Sequence, residues 1–319
     1  MNLLNYILRR FLIAVVILVF ISFVIFTLIQ LMPGDPFQMY LDNPHASPEQ
    51  IQLIRERHGL DQPIPIQYLH WMRNVIMGNW GVSYHNQLPV MGLIGGRVGA
   101  TVQLMSFSLL LALVIAVPIG ILSAIKKNSL LDYATTAFSY FGMSMPTFWF
   151  GMMLQLLFAV QLGWLPSAGR RTLGAAGGTP LNLLMHMIMP GVVLALLYLA
   201  AWSRYTRNNY IDVLGQDYIR TATAKGVSDF RLYGIHALRN AVIPLVTVVT
   251  IDLPVMFSGA IVTESIFSWP GVGSLFMDSI LRRDYPILMG ILLISAILVV
   301  IFNLIADILY ALLDPRIKY

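Results

Sequence analysis

Only four lysines occur in these 319 residues, Lys126, Lys127, Lys225 and Lys318. None closes a Gly-x-x-x-x-Gly-Lys-Ser/Thr loop, so no lysine is placed to cradle nucleotide phosphates. The chain has no cysteine, which removes disulfides and thiolate metal sites, and we expect no bound metal or cofactor. There is no His-Glu-x-x-His, and Ser144 lacks the Gly-x-Ser-Gly setting of a membrane nucleophile, so hydrolytic chemistry is disfavoured; Ser144 reads as a packing residue beside Pro146. What remains is sparse. Asp252, Asp307 and His186 are the ionisable side chains inside long apolar stretches, with Gln103, Gln155 and Asn303 as neutral polar companions. An aspartate at the centre of a membrane helix costs about 2.5–3.5 kcal/mol, so Asp252 must face water, a partner or a cavity. It is a candidate for lining a translocation path, where it meets a substrate cation, or for a structural hydrogen bond. Asp307 and His186 lie near span ends and read as interfacial. The glutamines and Asn303 either join helices, at about 1 kcal/mol each, or line a pore. Ion-driven transport would call for more intramembrane charge than this.

The elements that must position these residues follow from composition. The chain is 57% hydrophobic and 11% charged, where a soluble domain is about one quarter charged. A polytopic, all-α membrane protein is expected. The net charge of +5 does not indicate nucleic acid, because the basic residues are spread among loops. Phe11 to Leu31 is a charge-free run of about 31 Å as a helix, matching a bilayer core near 30 Å. It is too long for a signal-peptide core. Further spans are expected at Gly99–Ile125, about 134–160, Leu183–Trp202, Ile243–Val262 and from Tyr285 to Tyr310. Pro146 interrupts the third, which reads as one kinked span or a re-entrant pair. Between the first two spans lies a mixed region, with a helix start at Ser47-Pro48-Glu49-Gln50 and an amphipathic candidate at Gln67–Met77. Twelve basic residues, among them Lys126, Lys127, Arg204 and Arg207, fall on one side of these spans, whereas the short loops of the other side carry four. By the positive-inside rule both termini are cytoplasmic.

One loop on the basic side reads as structure. In Asp217-Tyr218-Ile219-Arg220-Thr221-Ala222-Thr223-Ala224-Lys225-Gly226, Asp217 suits an N-cap, no breaker follows, Lys225 suits the C-terminal dipole and Gly226 can take a left-handed cap. Ser228 can start a second helix, followed by Phe230, Arg231 and the run Ala237-Leu238-Arg239-Asn240-Ala241, with Pro244 beyond. A helix this short is marginal alone, which implies a docking partner.

A small helix, a glycine and, about eighteen residues on, a proline opening the next span resemble the coupling loop of ABC importer membrane subunits. The wording is similar to the dipeptide/oligopeptide/nickel branch, as are Leu31-Met32-Pro33-Gly34-Asp35-Pro36, Gly59-Leu60-Asp61-Gln62-Pro63, Gly78-Asn79-Trp80-Gly81 and the closing Asp314-Pro315-Arg316. The likeness runs along nearly the whole chain. Arg220 stands where the general pattern has glutamate, and Asn79 where the branch more often has aspartate, so those carboxylate contacts do not carry over. The resemblance implies six transmembrane helices in a type I ABC importer permease fold, with a small helical extracytoplasmic insertion after the first helix. It divides the chain into 1–31, an insertion at 32–97, and a core at 98–319 holding the coupling loop 204–242. It also implies a non-catalytic permease for peptides in a bacterial cell membrane, assembled with a second homologous permease, two cytoplasmic ATPases and an extracytoplasmic binding protein. ATP and magnesium would be bound by the ATPases. Arg220, Thr223, Lys225 and Arg231 are the expected polar contacts to an ATPase, with Tyr218, Ala222 and Phe230 filling its groove. Glu264, Trp269 and Pro270 are expected at the outer gate or the binding-protein docking surface. Similar permeases serve nickel complexes, glutathione and oligosaccharides, and a secondary transporter or channel is the alternative class.

Overall fold

The computed structural model describes residues 3–31, 52, 61–172, 174 and 178–313. The helix start expected at Ser47, the motif at Met32–Pro36 and the closing motif from Asp314 lie outside the described residues. Helices account for nearly all regular structure: α1 Leu3–Gln30, α2 Ile64–Ile76, α3 Val90–Ile125, α4 Leu130–Ser144, α5 Thr147–Leu154, α6 Pro180–Leu214, α7 Asp217–Ala224, α8 Asp229–Arg231, α9 Leu238–Ile266, α10 Val272–Arg282 and α11 Tyr285–Leu313. Wider π-helical turns continue α5 through Gln155–Gln161 and join α8 to α9 through Leu232–Ala237. Among the described residues five segments are long and apolar enough to cross a membrane, and the α4–α5 pair, bent by 102°, makes a sixth when taken as one span.

Several spans are longer than expected. α3 has 36 residues and α6 has 35, about 54 and 52 Å, well beyond a 30 Å core. Polar residues end the apolar run, but nothing in Ser203–Leu214 breaks a helix, so the helix continues. α6 starts where Thr179 accepts from the Asn182 N–H at 3.2 Å and Pro180 occupies the first turn. Pro146 disfavours the α conformation in Met145, which is extended, and this breaks the expected single kinked span into α4 and α5. α10 was not foreseen.

Residues 1–99 with 271–301 form one compact unit. Its core joins Phe26 and Ile29 of α1, Tyr68 of α2, and Tyr285, Leu288 and Met289 of α11. The Phe23 and Phe26 rings meet Tyr68 edge-on at 5.1 and 5.7 Å, and the Tyr68 hydroxyl lies 2.8 Å from Ser22 Oγ. Asp284 is buried; its carboxylate accepts from the Ser83 hydroxyl and from the Tyr84 N–H at 3.1 Å, pinning the turn that precedes α3. Burial, then Asp284 and Tyr285, pushes the Tyr84 phenol well above the usual tyrosine range, so it remains protonated.

Residues 100–270 with 302–319 form the second unit. Its largest core gathers Leu104, Ala112 and Ala116 of α3, Leu194, Ala195 and Trp202 of α6, and Leu245, Met256 and Ala260 of α9. α3 and α6 approach so closely that a methyl on Gly191 would lie 2.4 Å from the Phe107 ring, and one on Gly120 would lie 2.6 Å from the Ser203 carbonyl oxygen. Both numbers rise together, from Phe107/Gly191 to Gly120/Ser203, so α3 and α6 run parallel. α9 runs against α6, since Leu194 faces Gly259 and Trp202 faces Asp252. α4 also runs against α6, through Asp132 with Arg207 and then Ser139 with Ser203.

Candidate functional site

α6 delivers the chain directly to α7, with only Gly215 and Gln216 between them. Gln216, not Asp217, is the N-cap, and its side chain makes no cap bond; Asp217 occupies the first turn, where its charge still suits the helix dipole. The C-terminus closes as a full Schellman motif: Gly226 (φ +74°) donates to Thr223 O at 3.0 Å and Val227 to Ala222 O at 3.2 Å. Ser228 precedes α8 as expected, again without a side-chain cap bond.

α7 is held by its own chain. Ile219 is buried with Leu232, Ala237 and Ala241, with Tyr210 of α6 and with Ala124 at the end of α3. The fully buried Tyr210 donates its hydroxyl to the Tyr233 carbonyl at 2.6 Å, joining α6 to the π-helical turn. Ala222 is half-buried against this cluster, so its methyl is directed inward and away from any external groove. On α7, Arg220, Thr223 and, just past its end, Lys225 are exposed, as is Arg231 on α8, with Phe230 at 83% and Tyr218 at 43% exposure. Asn240 donates to the Tyr218 hydroxyl at 2.9 Å. Arg220 and Asp217 lie 3.8 Å apart in full solvent, a pair too screened to fix either. An open groove beside α7 is lined by Leu214, Ile219, Arg220, Thr223, Leu232 and Tyr233.

Two turns before α6 ends stands a polar cluster that sequence reasoning missed. Arg207 donates through Nε and Nη2 to the Asp132 carboxylate at 2.5 and 2.7 Å, while Ser123 Oγ and the Asn128 N–H add bonds of 2.5 and 2.9 Å. Asp132 is buried, and these four donors satisfy it where a lone charge would be costly. The signal was present: Asp132 is the only acidic residue between Asp61 and Asp212. This cluster ties the α3–α4 turn to the helix that carries α7.

At mid-span, Asp252 is half-buried and accepts from Trp202 Nε1 at 2.7 Å. Of the residues expected at the outer gate or docking surface, Glu264 is fully buried in the last turn of α9, where Thr101 Oγ1 donates to it at 2.7 Å. Trp269 is fully buried and donates to Ala100 O at 2.8 Å, and Pro270 is half-buried. In this chain neither Glu264 nor Trp269 offers a surface for docking. Gln103 accepts both Nε and Nη2 of Arg170, and Gln155 donates to Ser167 O and Ile266 O at 2.8 and 3.1 Å, so both glutamines hold the loop that precedes α6. His186 is buried within the first two turns of α6, with Nδ1 2.8 Å from Asn182 O. Asp307 is half-buried and Asn303 exposed on α11.

Residues 116–319 match the family described as binding-protein-dependent transport system inner membrane component, and residues 3–105 match that description's N-terminal counterpart. The oligopeptide transport system permease protein AppB of Bacillus subtilis is 44% identical over 98% of this chain and 99% of its own length. The dipeptide transport system permease protein DppB of Escherichia coli K12 is 35% identical, covering 99% of both chains. Among solved structures, a chain of the inward-facing MetNI methionine ABC transporter superposes with a TM-score of 0.55 at 17% identity, over 70% of this chain and 97% of its own. That likeness concerns the fold.

Proposed function

This chain belongs to the binding-protein-dependent transport system inner membrane component family, and from that premise we propose that it is the peptide-conducting permease subunit of an ATP-driven importer. In this reading a second, homologous permease completes the path, and an extracytoplasmic binding protein delivers the peptide. Two cytoplasmic ATPases bind ATP and magnesium. Both termini face the cytoplasm, as the basic loops favour.

The observation that carries the mechanism is the build of α7. It is pinned to the chain by Ile219 on one face, closed by Gly226, and presents Arg220, Thr223, Lys225, Arg231, Tyr218 and Phe230 outward at the end of a 35-residue helix. ATPase closure pushes on this face, and α6 carries the displacement along its length. The chain's part is that of a lever whose two positions the ATPases bias. Ala222 belongs to the pinning face. At the outer end, the buried bonds of Glu264 with Thr101 and of Trp269 with Ala100 act as a closure of the path.

The test is ATPase activity of the reconstituted complex with and without binding protein, comparing the natural chain with Thr223, Lys225 and Arg231 replaced by alanine. We expect assembly to persist while stimulation by the binding protein falls at least tenfold, the scale of about 1.4 kcal/mol of lost coupling. Undiminished stimulation would move the coupling surface elsewhere, and absence of any ATPase in the complex would restore the secondary-transporter reading.

A further inference from the structure

Asp252 is equidistant from the two ends of the 29-residue α9, about 21 Å from either, which is as deep as this helix can place a charge. One of its carboxylate oxygens, Oδ2, is held by the indole N–H of Trp202 at 2.7 Å. Trp202 is completely buried and its single donor is spent on this bond, so the orientation of the carboxylate is fixed. The other oxygen, Oδ1, has no partner among the described residues, and the side chain is only half-buried. A fixed carboxylate with one open oxygen at mid-helix is a costly arrangement unless a cation or water meets it.

The surroundings indicate which. Beside Asp252, α9 exposes Ser258 and Gly259 together with the β-branched Ile251, Val255 and Val262, a mixed face. The exposed mid-portion of α1, by contrast, is Leu12, Val15, Val16, Val19 and Phe20, the composition that lipid favours. The carboxylate, the Ser258 hydroxyl and the bare backbone of Gly259 interrupt the α9 face with polar groups, which suits a surface that water and a polar solute reach.

We propose that Asp252, oriented by Trp202, binds the primary ammonium group of a peptide in transit through Oδ1, on a water-filled face of α9 formed with Val255 and Gly259. The proposal rests on the importer reading above. A peptide carries an ammonium at its amino terminus whatever its side chains, so one carboxylate in the path serves many sequences. The ammonium supplies the N–H donors that Oδ1 lacks, a charge-assisted bond roughly twice as strong as a neutral one.

The absence of native cysteine makes a direct test possible. Val255→Cys places one thiol a helical turn from Asp252, about 5–6 Å between Cβ atoms. In membranes holding the complete complex, its rates of modification by 2-aminoethyl, 2-(trimethylammonio)ethyl and 2-sulfonatoethyl methanethiosulfonate are measured and normalised to a free thiol. We expect the aminoethyl reagent to react on the order of tenfold faster than the sulfonate, the scale of one nearby charge in a wet protein site. The trimethylammonio reagent, a cation without N–H donors, should fall between them. Asp252→Asn should abolish the preference, Asp252→Glu should retain it, and Val16→Cys on α1 should resist all three. No modification of Val255→Cys by any of the charged reagents, with Gly259→Cys equally silent, would overturn the wetted face. Equal rates for the two cations, or a preference surviving in Asp252→Asn, would overturn the ammonium site. None of these outcomes depends on finding an ATPase in the complex, so failure here is distinct from failure of the importer reading.

Discussion

A carboxylate buried among apolar helices needs its donors supplied in advance, and Asp132 has four of them drawn from three places in the chain: Ser123 in α3, Asn128 in the turn, and the fork of Arg207 in α6. Removing one partner of such a pair strands the other, at about 3–5 kcal/mol, whereas replacing both with apolar residues of similar volume is nearly neutral. We therefore expect Asp132→Leu alone to destabilise the purified chain by about 3–5 kcal/mol in thermal unfolding, and Asp132→Leu with Arg207→Met to recover most of that loss. Equal loss in the single and double variants would show that the pair contributes no mutual stabilisation. The double variant also separates stability from coupling: with the fold restored but the charged tie absent, binding-protein stimulation should stay low. Asp132 was legible in principle as a solitary acid, but its partner lies 75 positions away, and no spacing rule pairs residues at that range.

Helices show the same division between what is local and what is not. The existence of each span, the capped helix after α6 and the left-handed Gly226 were legible because apolar runs, breakers and caps are local signals. α10 was not, since its N-cap is Gly271 with no side-chain bond and its left-handed stop is Arg283 (φ +55°), not a glycine. The buried state of Glu264 was equally hidden: a glutamate beside a Trp-Pro-Gly turn reads as solvated until Thr101 is brought to it by the fold. Helix contacts also give identical residues opposite roles. A methyl at Gly120 would press on the Ser203 backbone oxygen and Thr206 Cβ at 2.6 and 2.7 Å, while one at Gly96, on the same helix, meets nothing within 4 Å. Gly120→Ala should cost about 1–3 kcal/mol by prying α3 from α6, and Gly96→Ala should stabilise the helix by about 0.5–1 kcal/mol. Thermal unfolding of the two variants in detergent tests this, and a neutral Gly120→Ala would contradict the close approach.

At the scale of the membrane-spanning body, direction of travel decides topology. On α3 the hydrogen-bonded residues Thr101 and Ser123 lie about 33 Å apart, close to a bilayer core. Thr101 bonds Glu264 at one end, and Ser123 bonds Asp132 at the other, beside the basic Lys126-Lys127 turn. α6 runs parallel to α3, and two parallel spans require an odd number of crossings between them. Only α4–α5 is available to make it: the pair starts at Asp132 beside Arg207 and reaches Gln155 beside Ile266, at the opposite end of α9 from the α7 loop. The 102° bend therefore lies within a crossing and is not the turning point of a re-entrant loop. That places Lys127 and Trp164, both exposed, on opposite sides of the membrane. With single cysteines at these positions, a membrane-impermeant thiol reagent added to intact cells should label Trp164→Cys and leave Lys127→Cys unlabelled until the cells are opened. Labelling of both from one side would mean that α4–α5 turns back, and α3 and α6 would then have to be antiparallel, against the paired contacts of Phe107 with Gly191 and of Gly120 with Ser203.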